Sequence, residues 1–193
     1  VALDAEDVQR DIPLEQRSVK NVAQKRAIAQ AAARMVGPDD FVFLDAGSSV
    51  DLLVDCLEER GAAYATNCVG HALKLASRGF EVIVVGGMLK SATQAMVGPD
   101  TNSGIVRYNF TLGFWGTNGV TQKNGFTTPD SMEAEAKRLS MRQTLHRFVL
   151  ADASKANRVS RVRFADFEDA TLVTSHLPEG CPLAGLENVM VIE

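Results

Sequence analysis

The segment LDAGSSV (44–50) places a carboxylate, a glycine and two serines where an apolar run ends and a helical pattern begins. Backbone N–H groups in such a turn point outward at the start of the next helix, where the helix dipole favours an anion. The hydroxyl groups of Ser48 and Ser49 add hydrogen-bond donors. The segment lacks the GK[ST] ending of a P-loop, and it is not a GxGxxG loop. It predicts either a small anion site or an ordinary strand-to-helix turn with Ser48 as N-cap.

A second polar turn lies in LGFWGTNGV (112–120), where Gly116 and Gly119 bracket Asn118. The turn follows a predicted strand, and ligands of open α/β sheets bind outside the carboxyl ends of the strands. The alternative is the Asn-Gly turn of a β-hairpin, which is common. We interpret Trp115 as a core residue rather than a ligand platform.

A third candidate is NGFTTPDSMEAEAK (124–137), which leads from a turn into an acidic helix start. Asp130 and Glu133 form a capping-box-like pair, and Glu133 and Lys137 are four residues apart on one helical face. Acidic residues in a first helical turn ordinarily interact with the helix dipole. Ligand binding by Asp130 and Glu133 is the alternative to this structural role.

The fourth candidate is VLADASK (149–155), a predicted strand that ends in a polar turn with Lys155. A lysine at this position can bind a phosphate or a carbonyl oxygen, or it can remain solvated at the surface. Taken together, the segments place four Gly/Ser/Asp/Lys turns after four predicted parallel strands. We therefore expect the turns to meet at one sheet edge around a shared small-anion pocket.

Alternating strand and helix patterns position these turns. Short apolar runs predict strands at 41–45, 62–66, 81–85, 111–116, 147–151, 170–174 and 189–192. Helical spacing predicts helices at 19–36 (capped by Ser18), 50–59, 69–77, 100–107 and 131–144. The alternation predicts an α/β fold with a largely parallel sheet and helices on both faces. We expect the following strand residues to be mostly buried: Val42, Leu44, Val82, Val84, Phe114, Val149 and Leu150.

Composition narrows the class of protein. A chain of 193 residues, 46% hydrophobic and without a dividing linker, indicates one main domain. The net charge of −4 argues against nucleic-acid binding as the chain's own main task, but it leaves room for a local anion pocket. No apolar run could span a bilayer, and the polar N-terminus is not a signal peptide. Three cysteines and three histidines show no metal-ligand spacing, so we expect thiols in a reducing cytoplasm, no metal and no cofactor.

The order of several short segments resembles one protein family. FLDAGSS, ATN, VIVVGG, MVGPD, GTNGV, GFTTPD and LADASK follow one another as in the C-terminal sensor domain of the DeoR family of bacterial sugar-responsive repressors. The resemblance extends from PLEQR (13–17) to about residue 175. It implies a ribose-5-phosphate-isomerase-like fold, a phosphorylated sugar or polyol as effector, and a homodimer or homotetramer. It also implies that residues 1–17 lead in from a winged helix-turn-helix domain that binds operator DNA, and that residues 18–193 form the sensing domain.

Carried over by position, the resemblance implies an effector site with distinct parts. Gly47, Ser48 and Ser49 would form the phosphate-binding turn. Asp45 would lie at the base of that turn, and Lys155 would meet the phosphate or a sugar oxygen. The other implied residues border the pocket, keep a loop close to the ligand or face the sugar: Thr66, Asn67, Gly86, Gly87, Gly116, Asn118, Gly119, Asp130 and Glu133.

Asn118 departs from the family pattern, which usually has Asp at this position. An amide has no titratable group near neutral pH and cannot act as a general base. This favours a non-catalytic sensor, with no catalytic residue assigned. The alternatives are an aldose–ketose isomerase or sugar-phosphate deaminase that uses Glu133 or Glu135, and a subunit-interaction module. The sequence leaves the identity of the sugar phosphate open.

Overall fold

A computed structural model describes residues 14–192 of the chain. The predicted lead-in segment, residues 1–17, lies mostly outside the described residues, and its last four residues begin a short helix. The helices are α1 (Leu14–Ser18), α2 (Val22–Ala33), α3 (Ser48–Cys56), α4 (Val69–Ser77), α5 (Pro99–Ile105) and α6 (Ser131–Arg142). Within residues 14–192, no helix has the length and apolar character needed to cross a membrane.

In the described part of the chain, twelve strands form three sheets. They are β1 (Phe41–Leu44), β2 (Ala63–Thr66), β3 (Val82–Val84), β4 (Met88–Lys90), β5 (Ala95–Val97), β6 (Phe110–Gly116), β7 (Gly119–Thr121), β8 (Gly125–Thr128), β9 (Thr144–Leu150), β10 (Val162–Ala165), β11 (Thr171–Thr174) and β12 (Val189–Val191). The main sheet has seven strands in the order β12-β11-β9-β6-β1-β2-β3, and every neighbouring pair is parallel. The predicted parallel α/β fold is confirmed.

The strand order reverses direction at the centre of this sheet. From β1 the chain builds outward through β2 to β3, then returns to place β6 on the other side of β1. Such a reversal leaves a crevice at the carboxyl ends of the two central strands, because the connecting helices on either side lie on opposite faces. The crevice is therefore bounded by the turns that follow β1 and β6.

Helices cover both faces of the sheet, as predicted. On one face α2, α3 and α4 bury residues such as Ile28, Leu53 and Leu75 in one core cluster. On the other face Ile105 of α5 and Met141 of α6 belong to a second cluster. The repeat of small and apolar residues along α2 explains its orientation, because these positions form one helical stripe that packs inward.

Trp115 of β6 is fully buried, which confirms its interpretation as a core residue. Its indole Nε1 donates a hydrogen bond to Ser140 Oγ at 2.9 Å, so the polar end of the ring is satisfied. A Cβ atom at Gly113 would lie 2.2 Å from the Trp115 ring. Glycine at position 113 is therefore what allows the indole to lie flat against its own strand.

Two sequence predictions about boundaries and burial are wrong. The helix predicted from position 19 begins at Val22, and Ser18 ends α1 instead of capping α2. Residues 19–21 separate the two helices, and the last of them, Asn21, takes a left-handed conformation with φ of 53°. Val82 is only partly buried and Val84 is 44% exposed, because β3 is the edge strand of the sheet.

Five short strands were not predicted. The strands β4 and β5 form an antiparallel hairpin, and β7, β8 and β10 form an antiparallel three-stranded sheet. The Asn118-Gly119 pair is not the tip of a hairpin, since Gly119 begins β7, which pairs with β8 rather than with β6. These strands are only three or four residues long, so they carry too little apolar periodicity to be recognised.

Candidate functional site

A cleft of about 320 Å³ opens at the carboxyl ends of β1, β6 and β9. Its walls come from the turns after these strands, from the junction of α1 and α2, and from one side of α6. This is the crevice created by the reversal of strand order. The turns at 47–49, 116–118 and 152–155 therefore meet at one sheet edge.

The turn after β1 leads directly into α3, whose first residues are Ser48 and Ser49. Both serines are about nine-tenths buried and line the cleft. The backbone N–H groups of a helix's first turn have no partner within the helix, so this end of α3 offers donors to an anion. A Cβ on Gly47 would lie 3.9 Å from the Cα of Gly116, which shows how closely the two strand ends approach.

Lys25 of α2 supports this turn from the side. Its Nζ donates to Ser48 Oγ at 3.2 Å and to the carbonyl oxygen of Arg17 at 2.6 Å, and the side chain is 3% exposed. Burial lowers the pKa of the Lys25 ammonium, while the carboxylate of Asp152 opposes that shift. One buried cation therefore connects α1, α2 and the first turn of α3.

The turn after β9 is organised by Asp152. Its Oδ1 accepts hydrogen bonds from Asn21 Nδ2 at 2.8 Å and from Ser154 Oγ at 2.5 Å. Asp152 also caps the short 3-10 helix that carries Lys155. Burial lowers the pKa of Lys155; Asp152 opposes the shift, while Arg17 and other nearby cations reinforce it.

The cleft carries an excess of positive charge although the chain is acidic overall. Among residues 14–192, two carboxylates line it, those of Glu133 and Asp152. In the same range its cationic lining residues are six: Arg17, Lys20, Lys25, Lys137, Lys155 and Arg158. Because these cations repel one another in a partly desolvated space, a bound anion would relieve that repulsion.

Beneath the cleft, Lys137 of α6 forms a buried ion pair with Asp45. The Lys137 Nζ also donates to the carbonyl oxygen of Gly116 at 3.3 Å. Burial raises the pKa of the Asp45 carboxyl, and the adjacent ammonium opposes the shift. This pair joins the ends of β1 and β6 to α6, and Asp45 lies under the turn rather than among the residues that line the cleft.

Glu133 lines the cleft from the first turn of α6, and its carboxylate is already bonded. Its Oε1 accepts hydrogen bonds from Lys90 Nζ at 2.9 Å and from Thr93 Oγ1 at 2.7 Å. Asp130 caps α6 by accepting from the backbone N–H of Glu133 at 2.9 Å, and it also pairs with Lys90. The β4–β5 hairpin is thereby fastened to the start of α6 beside the cleft.

Asn118 lies in the cleft wall and is 6% exposed. Its backbone N–H donates to the Thr127 carbonyl, and its Oδ1 accepts from Thr128 Oγ1 at 3.4 Å. Gly119 is placed by packing instead, since a Cβ there would lie 2.4 Å from the Arg158 carbonyl oxygen. The polar amide of Asn118 is thus held by the neighbouring strand.

The structure brings half of the implied site residues to the cleft and places the others elsewhere. Those that line it are Gly47, Ser48, Ser49, Gly116, Asn118, Glu133 and Lys155. Those that do not are Asp45, Thr66, Asn67, Gly86, Gly87, Gly119 and Asp130.

Two of the residues outside the cleft support it from below. Thr66 donates to the Leu44 carbonyl at 2.6 Å, and Asn67 accepts from the Ala46 N–H at 3.1 Å. Gly86 and Gly87 line a different hollow, between β3 and α5. These two glycines therefore do not line the cleft, and their role in keeping a loop close to the ligand stays a prediction.

Sequence reasoning missed most of the cations in the cleft. Lys25 carried a usable signal, because it falls on the same helical stripe as the buried Ile28, Ala29 and Ala32. Lys137 was noted for its spacing from Glu133 but not as part of the site. The remaining cations lie near chain turns and gave no signal: Arg17, Lys20 and Arg158.

Comparison with known proteins identifies the family. Residues 20–176 match the family model described as the DeoR C terminal sensor domain. The chain belongs to the DeoR family. It is 34% identical over 174 residues to the HTH-type transcriptional regulator FruR of Bacillus subtilis, covering 90% of this chain and 69% of that protein. The DeoR-type chain therefore spans about two thirds of the length of this relative.

Other relatives are also regulators. The HTH-type transcriptional regulator GlpR of Haloferax volcanii is 35% identical, covering 89% of this chain and 68% of that protein. The lactose phosphotransferase system repressor of Streptococcus mutans is 27% identical, covering 84% of this chain and 65% of that protein. This chain is accordingly the effector-sensing domain of a DeoR-family transcriptional regulator.

Solved structures support the fold. Ribose 5-phosphate isomerase A from Methanocaldococcus jannaschii aligns with a TM-score of 0.52 and 14% identity, over 70% of this chain and 55% of that chain. The eIF2B delta protein from Chaetomium thermophilum aligns with a TM-score of 0.58 and 14% identity, over 80% and 56% of the two chains. At this identity the likeness confirms the predicted ribose-5-phosphate-isomerase-like fold and carries no statement about activity.

Proposed function

We propose that the cleft binds a phosphorylated sugar or polyol, and that this effector controls the affinity of the complete regulator for operator DNA. The observation that carries the proposal is that six cationic side chains line the same cleft as the N-terminal turn of α3. A phosphoryl group satisfies both features at once, because it offers several acceptor oxygens and a negative charge.

The geometry suggests an orientation for the effector. The phosphoryl group would lie against the Gly47–Ser49 turn, between Lys25 and Lys155. The hydroxyl-bearing part would extend toward Asn118 and Glu133, where amide and carboxylate oxygens accept hydrogen bonds. The name of the Streptococcus mutans relative, which refers to a sugar phosphotransferase system, is consistent with an effector of this class.

A sensing role explains the cleft better than catalysis. An isomerase needs a free carboxylate beside the reacting carbons. The carboxylate of Glu133 instead accepts hydrogen bonds from Lys90 and Thr93. That of Asp152 accepts hydrogen bonds from Asn21 and Ser154, so both carboxylates hold neighbouring segments in place. The proposal therefore assigns no catalytic residue, and it includes a DNA-binding domain and an even-numbered assembly as features of the complete protein.

Unfolding of this chain against a panel of sugar and polyol phosphates tests the proposal. At 100 times its dissociation constant, a ligand should raise the free energy of unfolding by about 2.7 kcal/mol. The unphosphorylated sugars should have no effect at the same concentrations. If no phosphorylated compound stabilises the protein, or if one is converted to product at a steady rate, the proposal is wrong.

Lys155→Met with Lys123→Met as the matched control tests the site itself. Lys123 is exposed in the turn between β7 and β8 and does not line the cleft. Loss of a charge-assisted contact from Lys155 should weaken effector binding about 10- to 100-fold, while the control binds normally. Equal affinities for the two variants would remove Lys155 from the site.

A further inference from the structure

The helix α1 contributes to the wall of the cleft, and polar contacts hold it there. Its five residues are too few for a helix that is stable by itself in water, and no residue from 15 to 23 is buried. The carbonyl oxygen of Arg17 accepts a hydrogen bond from Lys25 Nζ at 2.6 Å. Just beyond α1, Asn21 Nδ2 donates to Asp152 Oδ1 at 2.8 Å. The position of α1 therefore depends on groups that belong to the cleft.

Arg17 carries a buried hydrogen-bond donor that lacks an acceptor. Its side chain lines the cleft, and its Nε is shielded from solvent and has no hydrogen-bond partner among residues 14–192. Buried N–H groups in folded proteins are nearly always hydrogen-bonded. The planar guanidinium presents its donors at the spacing of two phosphoryl oxygens. A phosphoryl group in the cleft would therefore supply the acceptor that Nε lacks.

The charge of Arg17 acts on the same lysines that are expected to hold the phosphoryl group. Burial lowers the pKa of Lys25 and of Lys155, and Asp152 opposes both shifts. The positive charges of Arg17 and Lys20 reinforce both shifts, so they lie within electrostatic reach of the two ammonium groups. Without an anion these charges repel α1 from the rest of the cleft. A bound phosphoryl group attracts all of them and reverses the effect on α1.

We propose that Arg17 binds the phosphoryl group of the effector, and that this contact stabilises α1 against the cleft. The inference rests on the proposed function and adds to it the element that responds to the effector. The phosphoryl group would join the Gly47–Ser49 turn to Arg17, so that α3 and α1 are connected through the ligand. A change in the stability of α1 passes along the chain to the residues that precede it, where the proposed function places the DNA-binding domain.

Hydrogen exchange of this chain, followed by mass spectrometry, tests the response of α1. The probes are inorganic phosphate and the compound of the sugar-phosphate panel that binds best. Either probe at saturation should slow amide exchange in residues 14–24, because local opening of α1 becomes less frequent; chloride at the same ionic strength should not. If a probe binds and exchange in residues 14–24 is unchanged, the proposal is wrong. If neither phosphate nor any compound of the panel binds, the proposed function fails as well.

Substitutions of Arg17 test the contact itself. Arg17→Met should weaken binding of both probes about 10- to 100-fold and should remove the slowing of exchange, because it removes the charge and all the donors. Arg17→Lys keeps the charge but loses the paired donors, so its affinity should be intermediate. Arg26 is exposed on α2 and does not line the cleft, and Arg26→Met is the matched control that should bind normally.

The Lys155→Met variant separates failure of this inference from failure of the proposed function. If Lys155→Met binds weakly and Arg17→Met binds as tightly as the wild type, the cleft is the effector site but Arg17 is not a ligand. If both variants bind like the wild type, both proposals fail. Arg17 is only partly buried, so circular dichroism should show native folding in both of its variants.

Discussion

Asn21 donates a hydrogen bond to Asp152 at 2.8 Å, across 131 positions of sequence. The bond connects the junction of α1 and α2 to the turn that carries Lys155. Because Asn21 also adopts a left-handed backbone conformation, the position serves two purposes: it bends the chain and it anchors the bend to the cleft. The N-terminal helix is thereby part of the cleft wall.

We expect Asn21→Gly and Asn21→Ala to separate these two purposes. Glycine keeps the left-handed backbone and loses only the side-chain bond, which should lower the free energy of unfolding by about 1 kcal/mol. Alanine also disfavours the backbone conformation and should cost about 1 kcal/mol more than glycine. Urea unfolding measures both differences. Equal stabilities for the two variants would mean that the left-handed conformation is not maintained in solution.

The buried His71 should make stability depend on pH. It is fully buried in α4, neither ring nitrogen has a hydrogen-bond partner among the described residues, and burial lowers its pKa from 6.5 to about 4, with Asp51 opposing the shift. Between pH 6.5 and 4 the unfolded chain binds a proton that the folded chain does not. Above pH 6.5 the buried imidazole therefore costs no stability. As the pH falls below 6.5 the free energy of unfolding decreases, and the loss reaches about 3 kcal/mol near pH 4.

His71→Leu should remove this part of the pH dependence, because the substituted side chain does not titrate. Unfolding measured from pH 7 to pH 4 should show a flatter profile than that of the wild type. His146 is exposed on β9, and His146→Leu serves as the control with an unchanged profile. Parallel profiles for wild type and His71→Leu would show that the buried imidazole does not account for the acid sensitivity.

Removing only one partner of the Asp45–Lys137 ion pair should lower the free energy of unfolding strongly. Lys137→Met leaves a buried carboxylate without its partner and should lower the free energy of unfolding by about 3–5 kcal/mol. Adding Asp45→Asn should recover a large part of that loss, since the second charge is then removed as well. Denaturant unfolding of the single and double variants measures the difference. A loss below about 1 kcal/mol in Lys137→Met would contradict the burial of the pair.

Asn118→Asp tests how the effector lies in the cleft. If the sugar lies against Asn118, the added carboxylate should change affinity less than about tenfold, because hydroxyl groups can donate to it and the cleft has an excess of cations. Calorimetric titration with the best effector, at two salt concentrations, measures the change, with Asn118→Ala as the uncharged control. A far larger loss that grows at low salt would place the phosphoryl group against Asn118 instead.

Local patterns predicted the parts of the fold that local contacts determine. The range of α4 matches its prediction because the helical stripe and its ends are encoded within nine residues. The exposure of Val84 was not predictable in this way, since it depends on which strand lies at the sheet edge. In the same manner, the local sequence predicted the turn at Ser48. The cations around that turn were not predicted, because they come from helices and turns that are distant from Ser48 in sequence.

The strand order also determines when the cleft can form during synthesis. The centre of the sheet pairs Val42 with Leu112, seventy positions later, so β1 keeps one side unpaired until β6 has been made. At ribosomal rates of about 5–20 residues per second, that interval lasts several seconds. A nascent chain that ends before Gly116 has the Gly47 turn without its opposite wall. The chain can therefore bind its effector only after β6 has been synthesised, and unpaired strand edges are exposed until then.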